Sequence, residues 1–194
     1  MSRNDMFELA EQTDFSQRAI NEIVDAVTAA KLWPLVCVIS GFQTGADQGG
    51  SRAGKACGYT TGGMMPKGFL TEDGPRPDLA AEYGAVESEH EGYEHRTRWN
   101  INNSDATLIF VLGRAADGGS LLTEQHAKRT GKLSLVVQVL PGTMPTCVPD
   151  ALSVRRWLQA CHVRTVNIAG NRESKSPGIG VAVETLCLEI LRKP

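Results

Sequence analysis

Apolar and polar positions along the chain alternate between two periods, which predict helices and strands in turn. Apolar residues from Ile20 to Val27 recur at helical spacing and predict a first helix over 16–31. LVCVIS, residues 35–40, is a β-branched run typical of a buried parallel strand. The same patterns predict strands at 59–63, 106–112, 133–140 and 163–170, and helices at 47–57, 91–102, 120–130, 150–162 and 178–191.

The segment from Met64 to Gly84 interrupts this order, because it is rich in proline and glycine and shows neither period. It is long for a structureless connection within a compact domain. Segments of this kind are typically lids or binding loops. We therefore expect it to border a functional site.

Strands that alternate with helices predict a fold in the α/β class. We expect a single Rossmann-like, doubly wound, mainly parallel sheet with helices on both faces. Residues 1–34 are interpreted as a helical extension packed on this domain, and residues 35–194 as the ligand-binding domain itself.

Composition and charge narrow the class of partner. Twenty basic against 22 acidic residues give a net charge of −2, so nothing indicates binding to duplex nucleic acid or to an anionic membrane surface. The five cysteines are odd in number and lack disulfide or zinc-knuckle spacing. No apolar stretch has the length of a signal peptide or a membrane span. We expect a cytoplasmic protein with reduced thiols.

Three glycine-rich or polar segments follow predicted strands, at 40–47, 113–124 and 169–178. In an open α/β sheet the ligand lies beyond the carboxyl ends of the strands. Glycines let the backbone approach a ligand, and free N–H groups at the next helix favour an anion. With hydroxyls at Thr44, Ser120, Thr123 and Ser174, the three loops predict a phosphate or oxyanion site.

Charged and amide side chains near the predicted strand ends would suit a ribose-phosphate ligand. Arginine and lysine would bind the phosphate, and carboxylates would bind the hydroxyls. These residues are Asp47, Lys67, Arg96, Asn100, Asp105, Arg172, Glu173 and Lys175.

Other motifs are weaker. GGSRAGKA, residues 49–56, has phosphate-loop spacing but ends in alanine where a magnesium-binding hydroxyl is needed, and no GxGxxG motif is present. His90 and His95 lie among glutamates, where a solvated helix start is favoured over a metal site. No metal site is predicted.

Five motifs together resemble one known family. SGFQTGADQGG, TGGMMPKG with EDGP, EHRTRWNINNSDATLIF, GGSLLTEQHAKRTGK and VNIAGNRESKSPGI are similar to motifs of the putative molybdenum carrier family. That family is the circularly permuted YpsA-type branch of the SLOG superfamily. The resemblance covers about residues 35–192 in the same order.

The resemblance implies a Rossmann-like fold, a homo-oligomer and a pocket for a nucleotide-like, phosphorylated or oxyanion ligand. It makes a molybdenum cofactor or a nucleotide the candidate cofactor or cargo. Carried over by motif, the ligand-binding positions are Gly41, Gln43, Thr44, Gly45 and Asp47, then Gly118, Gly119, Ser120 and Thr123, then Arg172, Glu173, Ser174 and Lys175.

Two positions depart from related patterns. Phe42 replaces a glycine of the family's usual SGGQTGAD, and it either packs under the loop or stacks on a ligand ring. The related Lonely Guy phosphoribohydrolases place a catalytic glutamate in GGxGTxxE. Here Gln125 occupies that position and Glu124 lies one residue earlier.

Three functions remain open from the sequence. The leading hypothesis is a non-catalytic carrier or sensor of a nucleotide-derived ligand. The second is a nucleotide N-glycosidase or phosphoribohydrolase in which Glu124 or Glu173 assists bond cleavage. The third is sequestration or sensing of an ADP-ribose-type or cyclic nucleotide signal.

Overall fold

Nine strands and six α-helices occur in the computed structural model, which describes residues 33–113, 118–140, 142 and 144–193. The strands are β1 Cys37–Ser40, β2 Thr60–Met65, β3 Leu70–Thr71, β4 Gly74–Pro75, β5 Ala85–Glu87, β6 Ala106–Leu112, β7 Leu133–Leu140, β8 Thr146–Val148 and β9 Thr165–Gly170. The helices are α1 Ala46–Ala56, α2 Asp78–Tyr83, α3 Glu94–Asn102, α4 Gly118–Arg129, α5 Ala151–Ala160 and α6 Ile179–Ile190, and Lys67–Phe69 is a short 3-10 turn. Pro34–Arg192 forms one compact unit.

Seven strands form one sheet in the order β5-β2-β1-β9-β6-β7-β8. Every neighbouring pair is parallel except β7 with the edge strand β8. This arrangement confirms the predicted α/β class and the mainly parallel, Rossmann-like sheet. The predicted strands at 106–112 and 133–140 match β6 and β7 at both ends.

The proline- and glycine-rich segment is more ordered than its composition suggested. It contains the 3-10 turn, the antiparallel hairpin β3–β4 and the helix α2. The hairpin forms a sheet of its own, separate from the seven-stranded one. The buried Thr71 hydroxyl closes its turn by donating to the Gly74 carbonyl at 2.8 Å.

The order of the strands predicts a ligand position beyond the carboxyl ends of β1, β9 and β6, and this position is called the crevice below. From β1 the chain moves outward to β2 and β5, crosses to β6 and β7, and returns through α5 to insert β9 at the centre. The direction of winding therefore reverses beside β1. Ligands of open α/β sheets bind at such a reversal, outside the carboxyl ends of the strands.

The predicted helix at 16–31 and the proposed 1–34 extension lie outside the described residues. None of the helices that the structure describes is long and apolar enough to cross a membrane. No disulfide joins any two of the five cysteines, all of which lie among the described residues.

Candidate functional site

The loop after β1 packs directly on the loop after β9. Gly45 has φ +83°, and a Cβ there would lie 2.5 Å from the Asn171 carbonyl oxygen and 2.6 Å from the Glu173 amide nitrogen. The Ala46 amide donates to the same Asn171 carbonyl at 3.1 Å. Two of the three predicted glycine-rich loops are thus joined through their backbones.

A buried ion pair lies beneath the β1 loop. Arg96 Nη1, from α3, donates to Asp47 Oδ2 in α1 at 3.2 Å, and the two side chains are 11% and 5% exposed. The Gln43 amide also donates to this carboxylate at 3.2 Å. The guanidinium lies so close to Gly41 that a Cβ at that position would overlap it. Gly41, Gln43, Asp47 and Arg96 therefore form one packed unit.

Burial raises the pKa of the Asp47 carboxyl above its ordinary value, and the attraction of Arg96 offsets only part of that rise. The folded state thus holds the proton more tightly than the unfolded chain, whose carboxyl titrates near 3.8. The stability that Asp47 contributes is complete below that pH and is lost as the pH rises through the raised pKa.

Replacement of Asp47 by asparagine tests the direction of this pH dependence of stability, because the amide is neutral at every pH. We expect the free energy of unfolding of the wild type, relative to Asp47→Asn, to fall as the pH rises from about 4 through the raised pKa of Asp47. Urea unfolding curves at a series of pH values measure the difference. A relative stability that rises with pH would mean that the Arg96 attraction outweighs burial.

A carboxylate from the β3–β4 hairpin is held at the carboxyl ends of β1 and β9. Glu72 Oε1 accepts hydrogen bonds from the Thr44 hydroxyl and, at 3.1 Å, from the Ser174 amide. Glu72 Oε2 accepts from the Ser174 hydroxyl at 2.7 Å. Burial alone would raise the pKa of Glu72, but these hydrogen bonds and the Arg172 charge outweigh it and lower that pKa.

The amide of Gln43 lies at the same point. Its Oε1 accepts from the Thr44 amide at 3.0 Å and from the Glu72 amide at 2.8 Å. Its Nε2 is buried and has no hydrogen-bond partner among the described residues. Arg96 Nε is also buried and also lacks an acceptor among the described residues. Buried donors without acceptors cost about 1–3 kcal/mol each, so both side chains would gain stability from an added acceptor.

Two arginines face one aromatic ring beside these loops. The Arg172 guanidinium lies 4.6 Å from the centroid of the Tyr93 ring, and that of Arg96 lies 5.8 Å away. Arg172 forms no ion pair with any residue that the structure describes, although its charge acts on both Asp47 and Glu72. Lys175, three residues further along the loop, is exposed.

Asn171 connects the carboxyl ends of β9 and β6. Its amide nitrogen donates to the Phe110 carbonyl at 2.9 Å, and its Oδ1 accepts from the Leu112 amide at 2.9 Å. Together with its carbonyl bond to α1, these contacts join three elements at one residue. Asn171 therefore positions the loops around the crevice.

The predicted loop at 113–124 leads into α4. Gly118 and Gly119 are exposed at the start of this helix, while Ser120 and Thr123 are buried. The Thr123 hydroxyl donates to the Gly119 carbonyl at 2.9 Å, within the helix. The structure does not describe residues 114–117, between β6 and these positions.

Both glutamates that were candidates for catalysis already form hydrogen bonds or an ion pair within the fold. Glu173 Oε2 accepts from the Gly180 amide at 3.0 Å and its Oε1 accepts from the Gly178 amide, so it caps α6. Glu124 pairs with Lys128 at 2.6 Å along α4. These are structural contacts of helices.

Three candidate residues lie apart from the crevice or are used in the scaffold. Asn100 bonds both the amide and the carbonyl of Met64, at 2.8 and 3.0 Å, and so completes β2. Asp105 accepts from the Arg164 and Thr165 amides at the amino ends of β6 and β9, the opposite edge of the sheet. Lys67 is exposed and lies 3.8 Å from Glu91.

Phe42 packs under the loop. It is fully buried, has φ +54°, and lies 5.9 Å from Tyr83 in a cluster with Met65, Leu79 and Ala85. Of the two readings that the sequence left open, packing is the one observed. A ring that is 0% exposed has no face available for a ligand.

Three residues of the crevice were not predicted as site residues: Glu72, Tyr93 and Asn171. Glu72 lies in EDGP, which contributed to the resemblance, but no local pattern indicates that it contacts Ser174, 102 residues away. Asn171 stands in the third loop, where a side chain that accepts from an adjacent strand has no periodic signature.

The two histidines noted in the sequence lie together, with ring centroids 4.1 Å apart. Ser88 Oγ is 3.0 Å from His95 Nδ1 and accepts from the His90 amide at 3.1 Å. Within the described part of the chain, no group of three or more His, Cys, Asp or Glu side chains is arranged to hold a metal ion.

This architecture is similar to that of a known protein family. The chain is similar to the crystal structure of a "putative molybdenum carrier protein" from Syntrophus aciditrophicus SB, with 34% identity and a TM-score of 0.72 over 81% of this chain and 95% of that one. No curated protein matches. The family model of the circularly permutated YpsA SLOG family matches residues 38–191. The chain therefore belongs to the circularly permutated YpsA SLOG family.

Proposed function

We propose that this protein binds a phosphorylated, nucleotide-derived small molecule, as a carrier or sensor, in the crevice between β1, β9 and β6. The observation that carries the proposal is Arg172. Its guanidinium lies over the Tyr93 ring, beyond the carboxyl end of β9, and has no ion-pair partner among the residues described. Contact with the ring face holds the guanidinium in place and leaves its N–H donors for a phosphate.

The surrounding groups support the same chemistry. The loops after β1 and β9 supply backbone N–H groups and the Thr44 and Ser174 hydroxyls. These groups donate hydrogen bonds of the kind that phosphate oxygens accept. Buried donors at Gln43 and Arg96 lack acceptors within the described residues.

Molybdenum enters the proposal as cargo. The crystallised relative is named a "putative molybdenum carrier protein". Molybdate is an oxyanion, so the donors that bind phosphate also suit molybdate. Direct ligation of the metal ion by side chains fits less well, because the described residues contain no cluster of metal ligands. We therefore propose that any molybdenum is bound as an oxyanion or through the phosphate of a cofactor.

A glycosidase function has less support. A catalytic glutamate needs a free carboxyl beside the scissile bond, whereas Glu173 caps α6 and Glu124 pairs with Lys128. Incubation with AMP, followed by chromatography for free adenine, tests it directly. Base release that Glu124→Ala abolishes would overturn the binding proposal in favour of catalysis.

Arg172→Ala tests the proposal. We expect it to weaken binding of AMP, ADP-ribose or molybdate, whichever of these probes the wild type binds, by about 10- to 100-fold, the effect of one charge-assisted hydrogen bond or bidentate pair. Isothermal titration calorimetry measures the affinities. Arg156→Ala is the matched control, since it removes an exposed arginine on α5, outside the crevice loops. Equal affinities for both variants would contradict the proposal.

A further inference from the structure

The oxygens of Glu72 occupy a position that is built for an anion. Three donors converge on this carboxylate: the Thr44 hydroxyl, the Ser174 hydroxyl and the Ser174 amide. They come from the loops after β1 and β9, and the Arg172 charge acts on the same carboxylate. A tetrahedral oxyanion requires the same donors as a carboxylate. We name these donors of Thr44 and Ser174 the oxyanion seat.

A buried amide beside the seat is incompletely bonded. Gln43 is 3% exposed, and its Oε1 accepts from the backbone of Glu72 while its Nε2 has no partner among the described residues. The side-chain amide therefore holds the hairpin with one end and offers a donor with the other. An additional acceptor at this point would satisfy it.

The hairpin that carries Glu72 is separate from the central sheet. β3 and β4 pair only through Leu70 with Pro75 and Thr71 with Gly74. Within the described residues, the hydrogen bonds of Glu72 to the rest of the fold all go to Gln43, Thr44 and Ser174. Loss of those contacts would release the tip without breaking any bond of the seven-stranded sheet.

We infer that Glu72 is an internal occupant of the oxyanion seat, and that the phosphoryl or other oxyanion group of the ligand binds there by displacing it. The inference rests on the proposed function and adds the position of the anionic group. The exchange replaces one anion by another on the same donors, and Gln43 gains an acceptor. The tip of the β3–β4 hairpin then leaves the seat.

Glu72→Ala empties the seat of its internal carboxylate. We expect this variant to bind inorganic phosphate and molybdate about tenfold or more tightly than the wild type, because the ligand no longer competes with Glu72. Calorimetric titration with each anion measures the change. Asp73→Ala is the matched control: it removes one negative charge from the same turn but leaves Glu72 in place.

A second readout does not depend on affinity. The Ser174 amide donates to Glu72, so its hydrogen exchange should accelerate in Glu72→Ala and slow again when phosphate is added. Asp73→Ala should leave this exchange unchanged. Mass spectrometry of peptides that contain Ser174 records both effects.

The inference is overturned if Glu72→Ala binds phosphate no more tightly than the wild type, or if Asp73→Ala gains as much. The first result shows that the seat does not accept a free oxyanion, and the second reduces the effect to net charge. Weaker binding of AMP by Glu72→Ala would show that Glu72 contacts the ligand directly, which also contradicts displacement.

The two proposals fail separately. If binding of AMP or ADP-ribose depends on Arg172 but Glu72→Ala leaves phosphate affinity unchanged, the inference alone fails. If no anion binds in an Arg172-dependent way, the proposed function fails, even where Glu72→Ala takes up phosphate at the seat.

Discussion

Phe42→Ala lowers the free energy of unfolding by about 3–4 kcal/mol, the loss expected when a fully buried phenylalanine is truncated. The ring is 0% exposed and packs with Met65, Leu79, Tyr83 and Ala85 between the β1 loop and α2. The small side chain leaves a cavity that the short helix α2 cannot fill by a simple shift. Urea denaturation followed by circular dichroism measures the difference.

The backbone conformation of Phe42 allows the contributions of packing and backbone strain to stability to be measured separately. Phe42 has φ +54°, a conformation that costs a non-glycine residue about 1–2 kcal/mol. Phe42→Gly should therefore be no less stable than Phe42→Ala, although it removes one more carbon. Phe69 is the matched control, because it has φ +52° but is only partly buried at the edge of the same cluster.

Phe69→Ala should cost about half as much as Phe42→Ala, since it removes less buried surface. If Phe42→Ala were as mild as a surface substitution, Phe42 would not support the β1 loop. The ring would then have to be explained by another role.

Gly45→Ala should destabilise the fold by about 3 kcal/mol, the sum of left-handed strain and overpacking. Its Cβ would meet the backbone of Asn171 and Glu173, at 2.5 and 2.6 Å, and a backbone cannot rotate away as a side chain can. The β1 and β9 loops must then separate. Ligand affinity should fall with stability, because the crevice is formed where these loops meet.

Gly131→Ala is the control for strain alone. Gly131 has φ +68°, and a Cβ there would meet nothing within 4 Å. It should cost only about 1 kcal/mol and leave ligand binding intact. Thermal and urea unfolding of the two variants compare them. Equal losses would mean that the contact between the two loops is looser than the geometry indicates.

Most of the sheet could be predicted from the sequence because buried parallel strands leave long apolar runs. ATLIFVL is buried from Ala106 to Val111, and this run gave β6 with both ends correct. β5 and β8 could not be predicted, because three residues at a sheet edge are too few to show a period. The hairpin β3–β4, with two residues per strand, is shorter still.

The site was predictable only as far as it follows strand ends. The loops after β1 and β9 were expected at the same edge of the sheet because parallel strands direct their carboxyl ends to one edge. Asp105 was expected near this edge but precedes its strand, so it binds amides at the opposite edge. The Glu72 contact joins residues 102 positions apart, and no spacing rule reaches that far.

Individual roles also depended on contacts that the sequence does not carry. Glu173 is next to Arg172 in the loop, yet its carboxylate caps α6 while the Arg172 guanidinium lies over the Tyr93 ring. Asn100 looks like a polar site residue in the sequence. In the structure its side chain bonds the backbone N–H and C=O of Met64, as a neighbouring strand would. The residue types in a segment thus indicate which chemistry is available, and the contacts made in the fold decide which residue has which role.

The proposed function is tested most directly by identifying any small molecule that co-purifies with the protein. Wild type, Arg172→Ala and Arg156→Ala are purified in parallel and denatured, and the released compounds are analysed by mass spectrometry with elemental analysis for phosphorus and molybdenum. We predict a compound with a phosphoryl or molybdate group from the wild type and from Arg156→Ala, and little from Arg172→Ala. Release of a compound without any anionic group, or equal release from Arg172→Ala, would contradict the account.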